Sequence, residues 1–394
     1  MFWQYFWIAF AVANPLGLSY SPSSSIPFIV LSFLGFSIGY SYAKGSLYVV
    51  NPEYLKNEEN RHNRLVRSLL YILIPVFLFL SVKAFYLIQT TAIYAYRREV
   101  YQNPEMLFGY APLFPIFQLV IEGGLLILIL SSFYSYIFNG KKSLLVLALI
   151  ISSLFSMIFL GRYPIYRLII MMIFFSIGFN RNYKFLIRMI LTCVILGGAL
   201  ISFSIFRGNG VYGVSEIFIK HVFGYHTFGY HLFESFLSEQ KEGFLDNTWL
   251  GGASLGSFGY FIFKPFSFLL GFDTYLQSED YISQDIFINL GVYEFSDASQ
   301  MELLANAFYT IFREIYVDYS YLGIVFFIGI GVFSRYCFLR YKLGDIYGTV
   351  MLMYIVFIFL FLGMRNPILR HEVVLPALYL IFMLIKTRRN FKYV

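Results

Sequence analysis

Leu113-Phe-Pro-Ile-Phe-Gln-Leu-Val-Ile-Glu-Gly-Gly-Leu-Leu-Ile-Leu-Ile-Leu-Ser-Ser-Phe-Tyr-Ser-Tyr-Ile-Phe138, a short Asn139-Gly-Lys-Lys142 link, and Ser143-Leu-Leu-Val-Leu-Ala-Leu-Ile-Ile-Ser-Ser-Leu-Phe-Ser-Met-Ile-Phe-Leu160 decide the fold class. A helix needs about 20 apolar residues to cross a bilayer core. Both runs are continuous and lack the alternating ten-residue period of an outer-membrane barrel, so they predict helices. The rest of the chain has the same character. Of its 394 residues, 59% are hydrophobic and 13% charged, with mean hydropathy +0.68. An ordinary soluble domain carries about 25% charged residues. This composition excludes a soluble enzyme, a disordered chain and a disulfide scaffold. The two cysteines, Cys193 and Cys337, suggest no disulfide.

The expectation is an all-α polytopic membrane protein with about ten transmembrane helices. The predicted spans are 2–18, 26–43, 68–88, 113–138, 143–160, 164–179, 185–206, 319–334, 346–363 and 372–386. Ala11-Val-Ala13 looks like a cleavage site, but no basic region precedes it, so an uncleaved first helix is expected. One side of this layout receives 17 Lys and Arg against four acids, Glu53, Glu58, Glu59 and Asp345. The other carries a net negative charge, and the two add to the chain's +7. The positive-inside rule then places both termini in the cytoplasm. The charge is juxtamembrane, which argues against a nucleic-acid partner. Three regions follow: 1–206 with seven spans, a large outer loop 207–318, and 319–394 with three spans. The apolar pieces 217–237 and 255–272 of the loop predict amphipathic or re-entrant helices.

Arginines at outer span ends oppose this topology. Arg97 and Arg98 sit near Glu99 and Glu105 and read as a solvated loop. Arg162, Arg167, Arg207, Arg313, Arg365 and Arg370 are harder to dismiss, because charge near hydrocarbon is costly. Helix ends converge in a bundle, so these arginines could form one cationic pocket. Guanidinium forks bind diphosphate oxygens bidentately, which points to an anionic lipid at the outer leaflet. Arg313 also has Glu314 and Asp318 beside it and reads equally as an ion pair. Tyr163 and Tyr166 accompany Arg162 and Arg167, while Tyr309 and Tyr316 flank Arg313 along one helical face. Tyrosine suits sugar faces, and it also suits an interfacial belt.

No phosphate loop, HExxH or cysteine-pair motif occurs, so no metal and no cofactor is expected. The acidic stretch with Asp273, Glu279, Asp280 and Asp285 reads as a solvated turn. His221, His226 and His231 are five apart and do not share a helix face. One of them could be a general base. The residues leave that choice open, with His226 carried as the candidate and His371 with Glu372 as a competing pair. Glu122 and Lys83 are intramembrane charges that could pair or form a proton site.

The run Asn306-Ala-Phe-Tyr-Thr-Ile-Phe-Arg-Glu-Ile-Tyr-Val-Asp-Tyr-Ser-Tyr-Leu-Gly323 resembles bacterial oligosaccharide repeat-unit polymerases, the Wzy-type O-antigen and capsule polymerases. Asn306, Tyr309, Thr310, Arg313, Tyr316, Asp318 and Gly323 fit their pattern, and Tyr319-Ser320 departs from its usual Phe-Gly. Gly161-Arg162 is similar to a second family feature. The resemblance implies a metal-independent, GT-C-like membrane glycosyltransferase in the bacterial inner membrane, with its site facing the periplasm. Its substrates would be undecaprenyl-diphosphate-linked glycans, donor and acceptor, and a chain-length regulator would be a partner. On this resemblance Arg162, Arg207 and Arg313 bind diphosphate, followed by Arg167, Arg365 and Arg370. Tyr309, Tyr316 and Asp318 position the site, with Asp318 orienting Arg313 or acting as a base. Tyr163, Tyr166 and Tyr316 would meet glycan. An O-antigen ligase and a lipid-linked oligosaccharide flippase are the alternatives.

Overall fold

The computed structural model describes residues 2–42, 47–49, 52–91, 93–110, 112–161, 163–179, 183–207, 219–239, 254–255, 258, 288–294, 300–305, 310–364 and 370–393. The chain is mostly helical. The helices are α1 Phe2–Ala13, α2 Ile26–Tyr42, α3 Pro52–Thr90, α4 Ile93–Gln102, α5 Leu113–Asn139, α6 Lys142–Ile158, α7 Tyr163–Phe179, α8 Tyr183–Arg207, α9 Tyr225–Glu239, α10 Ile311–Tyr319, α11 Ile324–Lys342, α12 Ile346–Phe361 and α13 His371–Thr387. Among the described residues, three helical stretches are long and apolar enough to cross a membrane: Glu53–Thr90, Leu113–Asn139 and Ile311–Lys342. Shorter apolar helices, among them α1, α2, α6, α7 and α12, pack with them. Their serines return hydroxyl protons to the carbonyl four residues back, as Ser131 does to Ile127 and Ser176 to Met172. That keeps polar groups satisfied among hydrocarbon.

Four expectations need correction. The first span, 2–18, is a helix only to Ala13. Asn14 takes a left-handed φ of 49° and clasps Leu18 through both side-chain atoms, and Pro15 cannot continue the helix. The basic segment 44–67 is not simply a loop, since α3 begins at Pro52 and docks its polar half. There the Tyr347 hydroxyl donates to Glu58 at 3.0 Å, and His62 is held between Ser131 and Tyr379. Arg340, counted as juxtamembrane charge, is fully buried against Asp345 at 2.8 Å. Lastly, the fold is not purely α.

Two strand pairs supply the β-structure. Antiparallel β2 Ile288–Glu294 and β3 Gln300–Ala305 form a hairpin inside the large loop. Alternation along Ile288-Asn-Leu290 aims Leu290 inward, where it joins Leu16, Leu18, Phe228, Leu232, Leu303 and Ala305. Strands β1 Leu47–Val49 and β4 Phe391–Tyr393 pair antiparallel and tie the segment before α3 to the tail after α13.

Helices α2 and α11 lie side by side in parallel, with Phe28 near Tyr321 and Tyr40 near Phe338. Glycines permit that approach. A Cβ on Gly39 would strike the Ile328 carbonyl, and one on Gly331 the Phe36 carbonyl. Gly331→Val should therefore destabilise the protein by roughly 1–3 kcal/mol through overpacking, read as a lowered Tm in detergent. An unchanged Tm would place the two helices farther apart.

Of the two readings of the piece 217–237, the part described, 219–239, fits a segment packed on the other helices rather than one lying at an interface. Phe228, Tyr230, Leu232 and Phe233 of α9 are all buried. Glu234 anchors α9 to the chain before α2, accepting hydrogen bonds from the backbone and hydroxyls of Ser23 and Ser25 and from Ser24 N–H, at 2.8–3.0 Å. Burial opposes its charge, and those donors outweigh it, holding the carboxyl down at about 2. The stabilisation is whole above the ordinary carboxylate range and fades as pH falls toward 2. Glu234→Gln should lower Tm at pH 7, with the gap to wild type closing on acidification. A pH-independent gap would remove the charge from the argument.

Candidate functional site

The first turns of α7 and α13 bring two arginines to one carboxylate. Arg167 Nη1 meets Glu372 Oε2 at 2.8 Å, and Arg370 Nε meets Glu372 Oε1 at 2.9 Å. Arg167 and Glu372 are fully buried, while Arg370 is partly exposed. The Arg370 guanidinium lies 4.4 Å from the Tyr163 ring centroid, and Arg167 lies 5.9 Å from the same ring. Part of this arrangement has a local cause. Tyr163 and Arg167 are four residues apart and share one face of α7. Glu372 is in the first turn of α13, where a carboxylate complements the helix dipole.

Glu122 stands opposite. It ends the π-helical turn Phe117–Glu122 in α5, a distortion common at functional sites. It interacts electrostatically with Glu372, Arg370 and Arg167. Among the described residues no ion pair joins it to Lys83, so of the two readings of these charges the pairing is not seen. Gly123 makes the approach possible, because a Cβ there would lie 2.9 Å from the Leu375 Cβ. The centre thus holds two guanidiniums, two carboxyl groups and an aromatic face. Arg370 is the group through which an anion from outside could engage it.

One residue before Arg167, the Tyr166 hydroxyl bonds His226 Nε2 of α9. His226 is 2% exposed and stacks on Trp7 at 4.3 Å, with Trp3 edge-on at 5.1 Å. Burial pushes its imidazole down to about 3. Its geometry suits it to orient Tyr166. His231 turns elsewhere on α9, its Nδ1 3.0 Å from the Ser19 carbonyl oxygen. The aromatic wall is fixed by Trp3 Nε1 and Gln4 Nε2, which donate to the Leu360 carbonyl, and by Tyr230, which donates to Gln4.

Arg313 forms a second centre. Thr310 caps α10, its Oγ1 accepting from Arg313 N–H at 3.1 Å, so the Thr of the family-like run has a local structural reason. Arg313 pairs with Glu314 at 3.2 Å and lies 4.7 Å over the Phe236 ring. Asp318 Oδ2 accepts from Ser254 N–H and Oγ at 2.7 and 2.6 Å. Arg313 thus has an ion pair with Glu314, and Asp318 holds the loop residue Ser254. Tyr316 packs against Phe28, Phe233 and Tyr321. His226 and Phe236 are ten residues apart on α9, about 15 Å of helix. Tyr166 and Arg313 thus meet α9 near opposite ends of that segment.

The chain matches no family model, no curated protein and no solved structure.

Arg162, Tyr309, Asn306, Arg365 and the acidic stretch 273–285 lie outside the described residues. So do the side chains of Arg207, His221 and His371, although their helical turns are described. Arg97 and Arg98 are exposed on α4, with Arg98 donating to Gln102 at 3.1 Å, in keeping with a solvated role. Sequence reasoning missed Trp3, Trp7 and Ser254. A signal existed for the tryptophans, because two of the chain's three fall within its first seven residues.

Proposed function

We propose that the protein is a Wzy-type oligosaccharide repeat-unit polymerase, a metal-independent, GT-C-like glycosyltransferase of the bacterial inner membrane. In this proposal ten spans place both termini in the cytoplasm and the loop 207–318 in the periplasm. The substrates are undecaprenyl-diphosphate-linked glycans, and a chain-length regulator is the expected protein partner. A hydroxyl at the non-reducing end of the incoming unit attacks the anomeric carbon of the growing chain. The bond from that carbon to the diphosphate breaks, the acceptor proton passes to a base, and undecaprenyl diphosphate leaves.

The observation that carries this reading is the meeting of Arg167 and Arg370 on Glu372 beside Tyr163. Glu372 holds the guanidiniums in place before substrate arrives. Preorganised donors stabilise a leaving diphosphate without reorganising at the moment of reaction. Tyr163 offers an aromatic face for sugar, and Tyr166 is fixed by His226. Arg162 precedes this turn and joins the same role by sequence position.

The test is reconstitution in liposomes with an undecaprenyl-diphosphate-linked repeat unit, chelator present, and product length read on a gel. A ladder is expected. Glycan transferred to added lipid A core with no ladder would make the protein a ligase. Movement of the lipid-linked unit across the bilayer at unchanged length would make it a flippase.

A further inference from the structure

A cavity of about 200 Å³ runs along α12. Met351 to Leu362 form its floor, Phe326 and Phe333 of α11 one wall, and Ala377 and Ile381 of α13 the other. Leu255 and Phe258 of the large loop also line it, beside Ser254 and its bond to Asp318. Its lining is hydrocarbon and thioether apart from Tyr354, whose hydroxyl is already given to the Val373 carbonyl at 3.1 Å. Such a space stays dry and takes an apolar occupant.

Its dimensions limit that occupant. The floor spans eleven helical steps, about 16 Å. A helix of that length with its side chains would need on the order of 1,000 Å³. Neither a partner helix nor the paired chains of a phospholipid suit the volume, whereas a single hydrocarbon chain does. The chemistry at the head of the groove sets the rest of the molecule. There the Ile311 N–H donates to the Leu362 carbonyl, which puts the first turn of α10, with Arg313, at that end. The Tyr163 ring, over which Arg370 lies, packs 5.8 Å from the Phe361 ring, which brings Arg370 to the same end. A slender apolar channel headed by arginines complements a single-chain anionic lipid.

We propose that this groove holds the first isoprene units of the lipid carrier's chain, with its phosphates at the arginine end. The inference rests on the lipid-diphosphate reading above. It assigns α11, α12 and α13 a binding role that no motif in the sequence marks.

The probe is a polyprenyl diphosphate bearing a diazirine on its chain, added to the full-length protein in phosphatidylethanolamine–phosphatidylglycerol nanodiscs. Label is expected on peptides covering Met351–Leu362 and Ala377–Ile381. Undecaprenyl diphosphate should compete it away and added phosphatidylglycerol should not. Ala377→Trp should reduce labelling about tenfold, the effect of displacing one or two buried CH2 groups. Ile381→Trp, farther along the groove, should do the same if Ala377→Trp fails to fold. Label mapped to other helices, equal competition by phosphatidylglycerol, or full labelling of a folded tryptophan variant would overturn the proposal. Specific groove labelling in a protein that makes no ladder would keep this site and remove the polymerase. A ladder with label elsewhere would do the reverse.

Discussion

Glu372→Leu is expected to lower the stability of the protein by about 3–5 kcal/mol, the cost of leaving a buried charge without its partner. Glu372 is bonded by Arg167 at 2.8 Å and by Arg370 at 2.9 Å, and both it and Arg167 are fully buried. Leucine restores the volume and strands the guanidinium of Arg167. Arg370 keeps partial access to solvent and suffers less. The double variant Arg167→Met, Glu372→Leu removes both members of the buried pair and should recover most of the loss, since an apolar replacement of a buried ion pair is often tolerated. Thermal unfolding of the three proteins in one detergent decides the matter. If the single variant melts with wild type, Glu372 is not the keystone of the centre.

The architecture was legible where the apolar pattern was long. The run 113–138 predicts α5 to within a residue of its observed end at Asn139, and the positions of α6, α7, α8, α12 and α13 follow the same signal. Hydropathy is a statement about solvent and says nothing of register or docking. It therefore misplaced the first span, where a single Asn14-Pro15 step ends the helix, and it treated the polar half of α3 as a loop. A polar helix that buries Glu58 and His62 against Tyr347 and Tyr379 leaves no hydropathy trace. The β2–β3 hairpin was hidden for a related reason: strands of seven and six residues carry too few positions to stand out within a polar loop.

The site was legible as a set of residue types and illegible as a geometry. Arginines at span ends mark a cost that must be compensated, and Arg167, Arg370 and Arg313 are each found paired with a glutamate. Which glutamate could not be read from spacing. Arg167 finds a partner more than two hundred positions away, Arg313 the very next residue, and Asp318 turns instead to Ser254. His226 was singled out for its titration range, and burial against the tryptophans lowers that range. Burial is a tertiary property, so the sequence offered the imidazole and withheld its pKa.

Arg370→Lys and Arg313→Lys are each expected to cut the rate of glycan polymerisation roughly 10²–10³-fold, the loss typical of one preorganised donor at a developing charge. Lysine keeps the charge and loses the planar fork, which for Arg370 both reaches Glu372 through Nε and lies on the Tyr163 ring. Retention of charge should leave the Tm near wild type, so lost activity would report function rather than folding. The same factor applies to Arg162→Lys. The two centres make a sharper demand. Sites farther apart than about 7–10 Å with no shared partner contribute independently. Arg370 and Arg313 pair with different glutamates, and Tyr166 and Arg313 meet α9 at His226 and Phe236, about 15 Å of helix apart. The double variant should then lose the product of the two factors to within about twofold. One shared cationic pocket predicts the opposite, a double variant little worse than the poorer single one. Initial rates for the wild type, both single variants and the double variant in one liposome preparation separate these outcomes. Two singles with wild-type rates would remove both arginines from the chemistry.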